Sequence, residues 1–219
     1  MDLPNEILIN IFEYSNVEDL KCITLASTKF YELVTTTTSI NKKFKLKFSS
    51  KCDVIIIEAL MNSGRYFENV SVPIPYHNEN TPCKSSPIID LMKKIGDRVK
   101  NIEFGKETTR MCSKPIFQIL GTCPNIESLE ISDRNFVSEC FGECSKLPIG
   151  NFSRLKVVQV PFNMFLATMK HVSTLEKMIV YNFNRGESLE FIEILRNNQS
   201  ALKSFIFPLY MHFEDHLQV

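Results

Sequence analysis

Apolar residues recur along most of the chain at positions n, n+3 and n+5. The pattern occurs as Phe67-Val70-Val72, Val99-Ile102-Phe104, Ile126-Leu129-Ile131, Leu155-Val158-Val160, Leu175-Met178-Val180 and Leu202-Phe205-Phe207. Its starts are separated by 32, 27, 29, 20 and 27 residues. Positions n+3 and n+5 share one side of a strand, because successive strand side chains point to opposite faces. An apolar cluster of helical character precedes five of the six units: Ile55-Ile56-Ile57, Ile88-Ile89-x-Leu91-Met92, Ile116-Phe117-x-Ile119-Leu120, Met164-Phe165-Leu166 and Phe191-Ile192-x-Ile194-Leu195. From Ile56, Ile88, Ile116, Phe165 and Phe191, the next strand pattern begins 11, 11, 10, 10 and 11 residues later. Two features in register five times over predict strand–helix units that stack. One such unit cannot bury its apolar side alone, so several must share a core. The unit at Leu155 lacks a clear helix ahead of it, and Gly142 and Pro148 break that stretch. Residues 73 to 87, with Pro73, Pro75, Pro82 and Pro87, read as a long loop that accounts for the widest spacing.

The first 38 residues follow a different pattern, which predicts three short helices. Leu3, Ile7, Leu8, Ile11 and Phe12 fall on a helical stripe, and Ile9 falls off it. Pro4 suits a first helical turn, and Glu6 complements the positive helix end. Asn16, paired with Asp19, is placed to cap a second helix that buries Leu20, Ile23 and Leu25. Ser27 or Thr28 opens a third, carrying Phe30, Tyr31, Leu33 and Val34, which is expected to fray in the β-branched run Thr35–Thr38. The first stripe is wider than a three-helix core needs, so part of it is expected to meet a partner. Residues 41–48 then alternate basic and apolar, which puts Phe44, Leu46 and Phe48 on the inner side of a short strand or linker.

The ordered set Leu3-Pro4-x-Glu6-Ile7-Leu8, Ile11-Phe12, Asp19-Leu20 and Ser27-x-Lys29-Phe30-x-x-Leu33 resembles the F-box. The resemblance covers roughly the first 45 residues. It implies a helical module that docks on the Skp-type adaptor of a cullin ubiquitin ligase, with Leu3, Pro4, Leu8 and Phe12 at or near the docking surface. Many F-boxes carry a Trp near their end; this chain has none, and Phe44 or Phe48 stands in that region. The units beyond resemble the leucine-rich repeats of F-box proteins, most closely at Cys123-Pro124-Asn125-Ile126-x-x-Leu129, with Phe, Ile and Val where that family prefers Leu. The expected fold class is therefore α/β: a three-helix F-box over residues 1–48, then a leucine-rich-repeat-like solenoid with a parallel sheet over 49–219, of about six units. The implied function is substrate recognition for a Skp–cullin–F-box ligase, without catalysis by this chain. An array outside any ligase would instead be a protein-binding scaffold.

Side chains between the buried strand positions should line an open face. The early strands place Asn69, Ser71, Asn101, Glu103, Ser128 and Glu130 there; the later ones place Val157, Gln159, Lys177, Ile179, Ser204 and Ile206, with Tyr181 just beyond. Val157, Gln159, Ile179, Tyr181 and Ile206 are the candidate target contacts. Packing against the C-terminal residues Leu209, Tyr210 and Phe213 accounts for the same apolar positions equally well.

Composition narrows the chemistry. The 219 residues carry 25 Lys plus Arg and 25 Asp plus Glu, a formal net charge of zero that gives no electrostatic cause to expect nucleic acid. The lysines at 42, 43, 45 and 47 read as a solvated face. Only seven glycines occur, and no phosphate-cradling glycine motif. No secretory signal or bilayer-spanning run is visible, so the chain is expected to be cytoplasmic and/or nuclear, with no membrane partner. Seven scattered cysteines suit reduced thiols. Cys140, Cys144, His212 and His216 would make four zinc ligands in principle, but their spacing matches no structural zinc motif, and no metal or cofactor is expected. No Cys is paired in sequence with His77 or His171 as a nucleophile would require.

Overall fold

The computed structural model describes residues 3–48, 54–62, 65, 67–73, 87–105, 113–132, 152–181 and 188–206. The chain opens with four helices instead of three: α1 (Asn5–Tyr14), α2 (Val17–Ala26), α3 (Thr28–Thr36) and α4 (Thr38–Asn41). Pro4 is the residue just before α1, and its carbonyl accepts from the N–H groups of Ile7 and Leu8. Asn16 caps α2 as its spacing with Asp19 predicts: Oδ1 accepts from the Asp19 N–H at 2.8 Å, and Nδ2 donates to the Asp19 carboxylate at 2.7 Å. The threonine run does not simply fray. Thr37 is extended, ends α3 and begins α4, whose Ile40 is fully buried. The core of this part is Leu8, Phe12, Leu20, Val34 and Ile40, flanked by Ile9, Ile23, Phe30, Leu33 and Phe44. Phe12 and Phe30 meet edge to face, with ring centroids 5.6 Å apart. Leu25, expected inside, is almost fully exposed at the end of α2.

Beyond the helices lies a seven-stranded sheet: β1 (Lys45–Lys47), β2 (Asn69–Pro73), β3 (Asn101–Gly105), β4 (Ser128–Ile131), β5 (Val157–Pro161), β6 (Lys177–Tyr181) and β7 (Ser204–Ile206). Strand order follows chain order and every pairing is parallel. The six recurring patterns align at n+3; Phe207, the last residue of the sixth, lies outside the described residues. Val70, Ile102, Leu129, Val158, Met178 and Phe205 form one row, extended at the near end by Leu46 of β1, so the basic–apolar segment supplies a seventh strand. Val72, Phe104 and Ile131 are likewise neighbours, as are Val160 and Val180. A one-residue slip would turn each apolar row to the open side, so burial specifies this register strongly.

The helices between strands cover one face. They are α5 (Val54–Asn62), α6 (Pro87–Ile95), α7 (Ser113–Leu120), α8 (Phe162–Met169) and α9 (Ser188–Asn198). Four of the recurring clusters supply their inner sides, and Phe104, Ile116, Phe117, Leu120, Phe162 and Phe165 are fully or almost fully buried. In α5 only Ile57 of the three isoleucines is buried; Ile55 and Ile56 lie on the outer side. Helix α8 starts directly after Pro161, with no intervening loop, which explains the 20-residue spacing of that unit. The last unit is less well packed: Phe205 is partly exposed, though its ring lies 5.8 Å from that of Phe191. No helix of the described residues is long and apolar enough to cross a membrane.

Two joints hold successive units together. The 3₁₀ turn Gly96–Arg98 after α6 meets the turn after α7, where Asn125 donates through Nδ2 to the Asp97 carbonyl at 2.7 Å. A Cβ on Gly96 would stand 2.2 Å from the Thr122 carbonyl oxygen and 3.1 Å from Cys123 Sγ, so no other residue fits this approach. At the other joint Asn198, wholly buried, donates to the carbonyls of Val172 (2.7 Å) and Ile194 (2.9 Å) and accepts from the Leu175 N–H (2.8 Å).

Charge also repeats. Position n+1 reads Glu68, Lys100, Glu127, Lys156, Glu176, Lys203, strictly alternating in sign. The pairs close as Lys100–Glu68 (3.0 Å), Lys156–Glu127 (3.4 Å) and Lys203–Glu176 (2.6 Å). The hydrogen bond from Lys203, and then its charge, holds the Glu176 carboxyl below the usual carboxylate range. Lys203→Ala is therefore expected to raise the Glu176 pKa toward the ordinary value, which side-chain carboxyl NMR titration would detect. Any stability from this pair exists above the ordinary carboxylate pKa and fades as pH falls through the lowered one. Gly96→Ala is expected to cost about 3 kcal/mol, because the new methyl meets backbone; urea unfolding would measure it.

Candidate functional site

Helix α1 is ten residues long and carries apolar side chains around more than one side. Residues four apart share a face, and adjacent residues stand about 100° apart. Leu8 and Phe12 take the inner face, 7% and 3% exposed. Ile7 and Ile11 take the outer face, 46% and 48% exposed, with Tyr14 continuing it, and Leu3, ahead of the helix, is 50% exposed. Of the four residues expected to dock a partner, Leu3 and Pro4 are therefore at the surface. Leu8 and Phe12 are withdrawn into the helical core, and the surface positions in their place are Ile7 and Ile11. Sequence spacing merges both faces into one stripe; only the packing of α3 and α4 against α1 separates them.

The module's helices are tied to the sheet. Lys43 closes the end of α1 by donating to the carbonyls of Glu13 and Ser15. Asn69 of β2 donates to the Lys42 carbonyl at 2.6 Å. Arg65 sits over the ring of Tyr31, 5.0 Å from its centroid, and donates to its hydroxyl at 2.6 Å. Phe44 packs in the helical core and Phe48, four residues on, in the core under the sheet.

The open face of the sheet is the second candidate surface. One row reads Lys45, Asn69, Asn101, Ser128, Val157, Lys177, Ser204; the next reads Lys47, Ser71, Glu103, Glu130, Gln159, Ile179, Ile206. Lys45 pairs with Glu103 across two strands, Asn101 donates to Asn69 Oδ1 at 2.7 Å, and Gln159 donates to Glu130 at 3.3 Å. A concavity of about 300 Å³ lies over β1 to β4, with Asn69, Asn101, Ser128, Glu103 and Glu130 among its lining. The expected contacts Val157, Gln159 and Ile179 are half-buried on this face, and Ile206 is 45% exposed. Tyr181 departs from the expectation: it is buried beside its register partner Pro161, with its hydroxyl 3.5 Å from the Gln159 carbonyl. A second concavity, of about 470 Å³, borders the Glu–Lys pairs near Arg154, Ser173 and Thr174.

No group of three or more His, Cys, Asp or Glu side chains that would hold a metal occurs among the described residues. Cys140, Cys144, His77, His212 and His216 lie outside them, as do Leu209, Tyr210 and Phe213. Cys123 is buried, and burial pushes its thiol up to about 11, opposed by the Thr122 hydroxyl. Such a thiol stays protonated at neutral pH and serves packing.

A model of the F-box-like family matches residues 1–45. No curated protein matches the chain. Helices α1 to α4 thus form an F-box-like domain, a kind that supports binding of a Skp-type adaptor and is typically non-catalytic. The division of α1 into two faces carries its own test. Phe12→Ala is expected to destabilise the helical part by about 3 to 5 kcal/mol, whereas Ile11→Ser should change stability by less than about 1 kcal/mol. Thermal unfolding of the two variants would show the asymmetry.

Proposed function

We propose that this chain is the target-recognising subunit of a Skp–cullin–F-box ubiquitin ligase. The observation that carries the reading is an F-box-like domain whose first helix leaves Ile7 and Ile11 uncovered, with Leu3 exposed just ahead of it. A contiguous apolar helix face beside Pro4 suits insertion against an adaptor's helical surface. In this reading Leu3, Pro4, Ile7 and Ile11 make the contact, and Leu8 and Phe12 hold the helix from beneath.

The remainder, residues 49–219, is read as a degenerate leucine-rich-repeat solenoid, with β1 as its first rung although it falls within residues 1–48. Support comes from strands that follow one another in order, all parallel and in one register, with five described helices packed into one core with them. The open sheet face then presents a protein target. The chain would carry out no bond chemistry. It would raise the effective concentration of a target lysine near a charged conjugating enzyme, converting an encounter between separate molecules into one within a complex.

The test is direct. The purified full chain is expected to co-elute with a Skp-type adaptor, and the double variant Ile7→Asp, Ile11→Asp should weaken binding by about 100-fold while leaving the unfolding temperature nearly unchanged. Failure of a folded full chain to bind the adaptor would rule out the ligase reading.

A further inference from the structure

The open face has two halves of different chemistry, a polar one over β1 to β4 and a more apolar one over β5 to β7. We propose that this face binds an extended basic-apolar segment of a target protein, with a Lys or Arg side chain beside Glu130 and an apolar side chain over Ile179 and Ile206. The inference rests on the target-recognition reading above and names the chemistry of the target.

Charge and hydrogen-bond direction carry the first half. The Lys42 carbonyl can only accept, so the donor that meets it fixes the Asn69 amide with Nδ2 outward to β1. Asn69 Oδ1 therefore accepts from Asn101 Nδ2, which leaves Asn101 Oδ1 as an acceptor. Ser128 follows Asn101 in the same row, and Glu130 lies two residues further along β4. Glu130 receives hydrogen bonds from two neutral donors, Ser132 at 3.2 Å and Gln159 at 3.3 Å. Among the described residues no cation pairs with it, unlike Glu103, which has Lys45. The concavity thus presents a carboxylate and further oxygen acceptors, a set that an ammonium or guanidinium satisfies with its several donors.

Among the described residues the other positive groups of the face do not fill this role. Lys43 is engaged by the carbonyls that end α1, and Lys45 by Glu103. Lys47 and Lys177 stand three and two strands from β4, roughly 14 and 10 Å at the usual strand spacing. Among the described residues neither forms an ion pair with Glu130, whose hydrogen bonds come from Ser132 and Gln159. An acidic segment would gain nothing at Glu130.

Spacing carries the second half. Ile179 and Ile206 are register partners on β6 and β7, two and three strands from Glu130. That is roughly 10 to 14 Å, the length of three to four residues of extended chain. Alternate residues of an extended segment point the same way, so a cationic and an apolar residue four apart reach both places at once.

The probes are two blocked octapeptides of Ser and Thr. One has Arg at its second position and Ile at its sixth; the other has the two exchanged, because chain direction is open. Fluorescence anisotropy with the full-length chain is expected to show binding of at least one. Replacing the peptide's Arg by Glu, or its Ile by Ser, should weaken binding at least tenfold. Glu130→Gln should weaken the Arg peptide about tenfold, Ile206→Asp should weaken it similarly, and Glu130→Lys should shift preference to the Glu peptide. Each variant's melting curve establishes that it is folded. Equal binding of Arg and Glu peptides, binding of neither Arg peptide, or an unchanged preference in folded Glu130→Lys would overturn the proposal. Adaptor binding, measured on the same preparations, separates the two readings. Adaptor bound without peptide preference removes only this inference, and peptide preference without adaptor binding removes only the ligase.

Discussion

Strands β3 to β7 each begin where one backbone carbonyl takes two donors. The carbonyl at n+1 of a unit accepts from the N–H groups of n+1 and n+2 in the next: Glu68 from Lys100 and Asn101, Lys100 from Glu127 and Ser128, Glu127 from Lys156 and Val157. The same contact recurs from Lys156 to Glu176 and Lys177, and from Glu176 to Lys203 and Ser204. Both lone pairs of a carbonyl are thereby used, and the next strand has one starting point. Everything that follows in the strand inherits that register, from the buried rows at n+3 and n+5 to the open rows at n+2 and n+4. The side chains at n+1 reinforce the contact, because alternating Glu and Lys place opposite charges on neighbouring rungs.

This shared register gives the two faces of the sheet different freedoms. The inner face tolerates Val, Ile, Leu, Met or Phe, since burial asks for volume and apolarity more than identity. The repeats can therefore be degenerate in sequence and still align. Their exceptions sit at the joints, where shape and hydrogen bonding are specific: Gly96 beneath the Thr122 carbonyl, Asn125 on Asp97, Asn198 between Val172, Ile194 and Leu175. The open face carries no such burden. Its residues change from Asn, Ser and Glu to Val, Gln and Ile along the stack, and that gradient is where recognition chemistry can reside.

The F-box-like helices and the sheet meet through a short path. Phe44 and Phe48 belong to different cores four residues apart, Asn69 bonds the Lys42 carbonyl, and Arg65 lies on Tyr31. A subunit that acts by proximity benefits from such contacts, because effective concentration depends on how narrowly the linked parts are positioned. The uncovered side of α1 and the open sheet face are the two surfaces such a path would connect.

Much of this was legible in the residues alone. The n+3 positions of the recurring pattern marked six strands in their true register, because period-two burial leaves a direct mark on sequence. Asn16 and Asp19 announced a cap, because capping is local. The ordered motif of the first 45 residues pointed to the F-box-like domain for the same reason. Tertiary packing decided the rest. It turned Leu8 and Phe12 inward and left Ile7 and Ile11 outside, although all four are equally apolar. It buried Tyr181, exposed Ile55, Ile56 and Leu25, and recruited Leu46 as a rung of the sheet. Hydrophobicity by itself states that a side chain gains by leaving water; which neighbour covers it depends on elements distant in the chain. The same holds for Glu130, whose sequence context is ordinary and whose neutral partners, among the described residues, are a property of the assembled face.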